Sequence, residues 1–199
     1  MSTELTHSSS DYLESIEGGL DAYGEYRVKA AVLRGMIQGH DREALTTALP
    51  IRLRPLTDPS LPATMWVPEV HATVLYLTCR DLFFASEDAF VADVLQRNLR
   101  LLDGRIYRNL VRLFAPQRIA NVGRSVFNTL LHDGLKVVSV DGTPLLWKLS
   151  YPDHLVPKVI GRCYGTAIVA ALKTAGHTAT SELVRHGPRE TLMQVRLDP

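Results

Sequence analysis

The sequence predicts an α+β fold, an N-terminal helical body packed on a four-stranded antiparallel sheet. Three observations lead there. Apolar residues recur at helical spacing through roughly the first two thirds of the chain, the period changes to strict alternation near residue 134, and one long apolar helix stands between two alternating pairs. The expected organisation is a polar arm over 1–10 and a single domain over 11–199, helical over about 11–133 and sheet-forming over about 134–198.

The first ten residues are Ser/Thr-rich and predict a disordered arm. Asp11 is placed to cap a helix running to Ala22, with Tyr12, Leu13, Ile16 and Leu20 on one side. The run EYRVKAAVLRGMIQG fits a strand or a helix, and DREALTTAL has an Asp cap and helical spacing. Five prolines (50, 55, 59, 62, 68) then mark a long loop with one short strand at Ile51 to Leu53. A loop of that length is a candidate edge for a site.

Pro68 and Glu69 occupy positions that a first helical turn tolerates, ahead of Val70, Val74, Leu77 and Leu82. Ser86, Glu87 and Asp88 start a second helix that turns Phe90, Val94, Leu95, Leu99 and Leu102 inward and stops near Gly104. A third helix is expected from about Arg105 to Phe114, and Pro116 opens a fourth that reaches His132 and Asp133 before Gly134. Short breaks between them imply an antiparallel, bundle-like arrangement.

LKVVSVDGTPLLWKL then alternates on both sides of Asp141-Gly142, a strong hairpin signal. Pro152 and Asp153 precede the next helix and Gly176 follows it, with the stripe Val156, Ile160, Cys163, Ala167 and Ala171 at helical spacing. Two further strands surround His186-Gly187-Pro188. Gly161 and Gly165 lie inside the helix, where each costs about 1 kcal/mol relative to alanine. Such residues let a helix backbone approach the sheet or a second subunit closely, and together with Cys163 they are the candidate packing or ligand-lining positions.

The chain of 199 residues carries a net charge of +1, 46% hydrophobic and 22% charged residues, an ordinary globular composition. Its two cysteines, Cys79 and Cys163, sit in apolar helical patterns, which argues for a reducing, cytoplasmic setting. No basic-then-apolar leader pattern and no long uninterrupted apolar run occur, so neither secretion nor a membrane span is expected.

Charge is unevenly placed. Residues 1–26 hold six acids and no Lys or Arg, whereas between Arg97 and Arg124 seven arginines face the single acid Asp103. The two regions are either solvated faces or mutually attracting surfaces. Arg105, Arg108 and Arg112 share one helix face, and Arg97 and Arg100 end the helix before them. Guanidinium forks so arrayed suit a protein partner or an acidic ligand. Near-neutral charge, few lysines and no recognition motif argue against nucleic acid.

Catalytic signatures are lacking. RGMIQGH and GRCYG have neither the spacing nor the strand-to-helix context of a phosphate loop. The seven histidines are scattered without an HxxxH pair and no CxxC occurs, so neither a metal nor another cofactor is assigned. A nucleophilic Cys163 with His154 and Asp153 is conceivable, but Cys163 lies more than two turns along on the apolar stripe.

The segments LRGMIQG, WVPEVHATVLYL, NLRLLDGRIYRNLVRLFAPQRIA and VIGRCYGTAIVAALKTAG resemble, over about Val28 to Leu197, a paralogous family of uncharacterised myxobacterial proteins. In layout that family is similar to the haem-nitric-oxide-binding, vinyl-4-reductase and TRAPP-subunit superfamily. The resemblance implies a helix of small residues across an antiparallel sheet, and a sensing, scaffolding or tethering role. The chain departs from both ligand-binding branches. No tyrosine stands in the Y-x-S-x-R signature that holds haem propionates, and no cysteine follows Cys163. His71 is the best-placed candidate for a haem ligand, but a satisfied core or surface histidine is the preferred reading of it.

The expected function is thus a non-catalytic cytoplasmic regulatory or adaptor domain, homodimeric, that binds a protein partner or a small apolar ligand. A haem- or small-molecule-binding sensor is the alternative, and an enzyme using Cys163 the second alternative.

Overall fold

The computed structural model describes residues 5–103, 131–132, 136–140 and 145–197, with side chains described for 5–103 and 146–197. The helices expected over 105–114 and 116–130, Arg105, Arg108 and Arg112, and the Asp141-Gly142 turn lie outside the described residues.

Helix α1 spans His7–Ser15 and a 3-10 turn follows at Gly19–Asp21. The helix begins inside the segment expected to be a disordered arm, four residues before Asp11. Tertiary contacts account for the difference: Ser8 Oγ donates to Asp81 Oδ1 (2.8 Å), and Ser9 Oγ meets Val74 O and Thr78 Oγ1 at 3.3 and 3.0 Å.

The ambiguous run is both structures in turn, strand β1 (Arg27–Lys29) leading into α2 (Ala30–Ile37). Helix α3 (Arg42–Ala48) carries the expected cap, with Ala44 N donating to Asp41 Oδ1 at 3.1 Å. Ile51 to Leu53 belong to a 3-10 helix, Ile51–Thr57, and form no strand; Pro55 lacks the N–H that a paired strand needs. The strand of this region is β2 (Trp66–Pro68), antiparallel to β1 with Val28 opposite Val67.

Helix α4 runs Glu69–Phe83 and α5 Glu87–Leu102, the latter capped by Ser86, whose Oγ accepts from Ala89 N at 3.2 Å. Leu82 is exposed, unlike its expected stripe. Leu131–His132 form strand β3 against Arg27 and Val28 instead of ending a helix, so β1 is the centre of a small sheet ordered β2-β1-β3.

The C-terminal half is hairpin, helix, hairpin. Strands β4 (Lys136–Val140) and β5 (Leu145–Ser150), helix α6 (Lys158–Thr174), and strands β6 (Ala179–His186) and β7 (Glu190–Leu197) give an antiparallel sheet ordered β4-β5-β7-β6. Gly176, at φ +93°, closes α6: its N–H reaches Lys173 O and that of His177 reaches Leu172 O, both at 3.0 Å, the paired bonds of a Schellman stop. Thr191, Met193 and Val195 form the buried face of β7.

Helix α6 is sandwiched. It packs on β6 and β7 on one side and on α5 on the other, which buries it on nearly every side. The main apolar core runs unbroken from Leu33, Leu75 and Phe90 in the helical body to Trp147, Leu155 and Met193. Among the described residues no helix is long and apolar enough to cross a membrane.

Candidate functional site

The unusual chemistry of the molecule lies at the seam where α1 and α4 meet α6. Pro68 ends β2, so α4 begins abruptly at Glu69, whose N–H is tied to Tyr26 O at 2.8 Å. A carboxylate in a first helical turn ordinarily faces water and complements the helix dipole. Here it turns inward, and the residue is 5% exposed. The Tyr164 hydroxyl on α6 donates a very short hydrogen bond to Glu69 Oε1, while Oε2 is buried with no partner. Burial lifts the carboxyl to about 7, against the opposing effect of the Tyr164 bond.

Thr73, one turn along α4, is also buried, with its hydroxyl against that of Tyr12. Beside it the Tyr12 hydroxyl from α1 is committed to Leu155 O at 2.8 Å. Burial raises the phenols of Tyr12, Tyr76 and Tyr164, so all three remain protonated donors. An unsatisfied buried acceptor costs about 1–3 kcal/mol, so Glu69 Oε2 is a cost at this seam. The arrangement places a carboxyl poised near neutrality among protonated phenols.

The sequence-predicted positions fall in several places. Gly161 and Gly165 both face the sheet: a Cβ at Gly161 would lie 3.2 Å from Thr191 Oγ1, and one at Gly165 would lie 2.9 Å from Ser181 Oγ and 3.2 Å from Met193 Sδ. Cys163 is 7% exposed, and burial pushes its thiol far up. With no thiolate at neutral pH, it has the character of a core residue and lacks that of a nucleophile. Arg97 is spent internally. It pairs with Asp93 and donates to Gly35 O and Gln38 O at 2.5 and 2.6 Å, closing the C-terminal end of α2, so its guanidinium is not presented to a partner. Arg100 is exposed at the end of α5.

Glu69 was missed as a site residue because its burial is set by Tyr164, 95 residues away in sequence. The local signal was a lone acid between Val67 and Val70, which equally suits an exposed first turn.

Five of the seven histidines, 7, 40, 71, 154 and 186, are either bonded within the fold or turned to solvent. His71 Nε2 meets Leu20 O at 3.0 Å, His40 stacks on Phe83 and meets Arg97, and His186 Nδ1 meets Thr191 Oγ1 at 3.0 Å. His7 and His154 face solvent beside Asp11 and Asp153, and residues 104–130 contain no histidine. The donors that do face the seam are a carboxyl and protonated phenols, and burial opposes the ionisation that a tyrosinate ligand requires. Among the described residues no group of three His, Cys, Asp or Glu could hold a metal ion.

No family model matches the chain, and no curated protein is similar to it in sequence. Solved structures are similar in fold. Cs H-NOX carrying 4-cyano-L-phenylalanine superposes with a TM-score of 0.56 at 8% identity, over 86% of this chain and 97% of that one. An H-NOX structure solved to probe haem distortion gives 0.55 at 8% identity over 86% and 95%, and a T. tengcongensis H-NOX mutant gives 0.52 at 7% over 85% and 94%. The fold of this chain is therefore H-NOX-like, with α6 and its antiparallel sheet closing a helical body.

Proposed function

We propose that this chain is a non-catalytic sensor domain for a small molecule, received at the seam between α4 and α6 and held by a polar contact to Glu69. The observation that carries this reading is the buried carboxyl of Glu69, bonded at Oε1 by Tyr164 and unpartnered at Oε2. The H-NOX-like fold supports it in general terms, since one neighbour named above was solved to probe haem distortion in the H-NOX family. The ligand proposed for this chain is a small neutral or hydrogen-bonding molecule, not a histidine-ligated haem. The closer placement, in the myxobacterial paralogous family, rests on the sequence resemblance alone.

A sensor without catalytic residues passes its state on through a protein contact. A second copy of this chain is one such partner. Native mass spectrometry of freshly purified protein, with an absorbance spectrum on the same sample, tests both points. The expected result is extra mass that is lost on denaturation, reduced in Glu69→Ala and accompanied by no Soret band. A clean apo mass after purification from several expression hosts would count against the reading, and the oligomer mass reads the dimer directly.

A further inference from the structure

A second feature lies on the opposite side of α5 from α6. Arg34 in the last turn of α2, Arg42 at the start of α3 and Arg100 in the last turn of α5 line one open cleft of about 540 Å³. Three elements distant in sequence thus bring three arginines to the lining of one cleft. Arg97 also borders the cleft, but Asp93 neutralises it. Among the described residues the carboxylate lining the cleft is that of Asp58, held below its usual range by Ser60, whose N–H and Oγ both donate to it at 2.7 Å, and further by the charge of Arg42. Arg42 and Arg100 have no ion-pair partner among the described residues, and Arg34 makes one long bond of 3.4 Å to Leu61 O.

Like charges gathered in a concave site repel one another and raise the local concentration of anions. Among the described residues lining the cleft, three arginines against one carboxylate leave an excess of two positive charges. A phosphate monoester carries about −1.5 to −2 charges at neutral pH and offers three acceptor oxygens, which guanidinium forks engage in pairs. A lone carboxylate also pairs with one guanidinium fork, but it carries less charge and one oxygen fewer than a phosphate monoester. The volume suits a small organic phosphate, since ligand sites commonly enclose about 300–1,000 Å³.

We infer that the Arg34–Arg42–Arg100 cleft is a binding site for a small phosphate-bearing molecule, separate from the Glu69 seam. The test is isothermal titration of the full chain with phenyl phosphate, and with phenyl sulfate as the monoanion of similar shape. Saturable one-to-one binding is expected for phenyl phosphate, at least tenfold tighter than for phenyl sulfate, and weakened at least tenfold in Arg42→Gln and in Arg100→Gln. Phenylglyoxal labelling of the wild-type chain gives a readout that needs no variant: bound phenyl phosphate should shield Arg34, Arg42 and Arg100 while Arg185 continues to react. Equal affinity for the two probes, unchanged binding in both variants, or absence of shielding would overturn the assignment. Sedimentation with phosphatidic acid vesicles without saturable phenyl phosphate binding would overturn it in favour of a lipid surface. Glu69→Gln should leave phenyl phosphate affinity unchanged, so this site and the seam stand or fall separately.

Discussion

At the scale of single residues, Glu69 makes a prediction whose sign follows from its surroundings. Its ordinary value is 4.5, and burial in the folded chain lifts it to about 7. The native state therefore holds this proton more tightly than the unfolded state does. The stability linked to Glu69 is fully present below about pH 4.5 and is lost as pH rises through about 7. Glu69→Gln keeps an acceptor for Tyr164 and removes the titration. The unfolding free energy of the wild type, relative to Glu69→Gln, should fall by about 2–3 kcal/mol between pH 5 and pH 8. Denaturant melts of both proteins at the two pH values measure this, and parallel pH profiles would place the carboxylate in water. Residue-scale chemistry was the least legible part of the sequence. Cys163 was readable as buried because it sits on an apolar stripe, but Arg97 looked like part of a docking face. Its real partners, Gly35 O and Gln38 O, come from another helix some sixty residues earlier.

Elements were legible wherever a local signal fixes them. Asp41 and Ser86 cap their helices through their own side chains, and Gly176 ends α6 through its positive φ. The strand pairs on either side of α6 were legible as alternating runs and turn residues, and the structure adds which face of β7 is buried, that of Thr191, Met193 and Val195. The strands of two or three residues around β1 carry too few side chains to show a period, and pairing with distant segments defines them. Likewise α1 starts at His7 because α4 supplies hydrogen-bond partners for its serines. The two glycines of α6 were legible as an anomaly, and their reason is steric. At Gly165 the added Cβ already meets Ser181 Oγ and Met193 Sδ inside contact distance, so a larger side chain must push α6 from the sheet. Gly165→Leu should lower stability by about 1–3 kcal/mol through overpacking. The midpoint of thermal unfolding reads this, and an unchanged midpoint would mean that β6 yields at no cost.

For the whole molecule, α6 decides whether the two halves behave as one. It is buried against α5 on one side and against β6 and β7 on the other, and Arg162 ties it to the start of α5 through Glu87 and Asp88 at 2.6 and 2.7 Å. Tyr12 adds a bond from α1 to Leu155, 143 residues on. Because one apolar core spans both halves, neither can expose its face without costing the other its packing. The helical body and the sheet should therefore unfold together. The two tryptophans make this measurable, since Trp66 reports on the helical half and Trp147, fully buried, on the sheet. In Trp66→Phe, fluorescence from Trp147 and far-ultraviolet circular dichroism, dominated by helix, should give coincident denaturant transitions. An earlier fluorescence transition would mean that the sheet detaches first, with α6 remaining on the helical body. Coincidence would mean instead that the helical body and the sheet form one cooperative unit, joined by the packing of α6 and by the Tyr164–Glu69 hydrogen bond to α4.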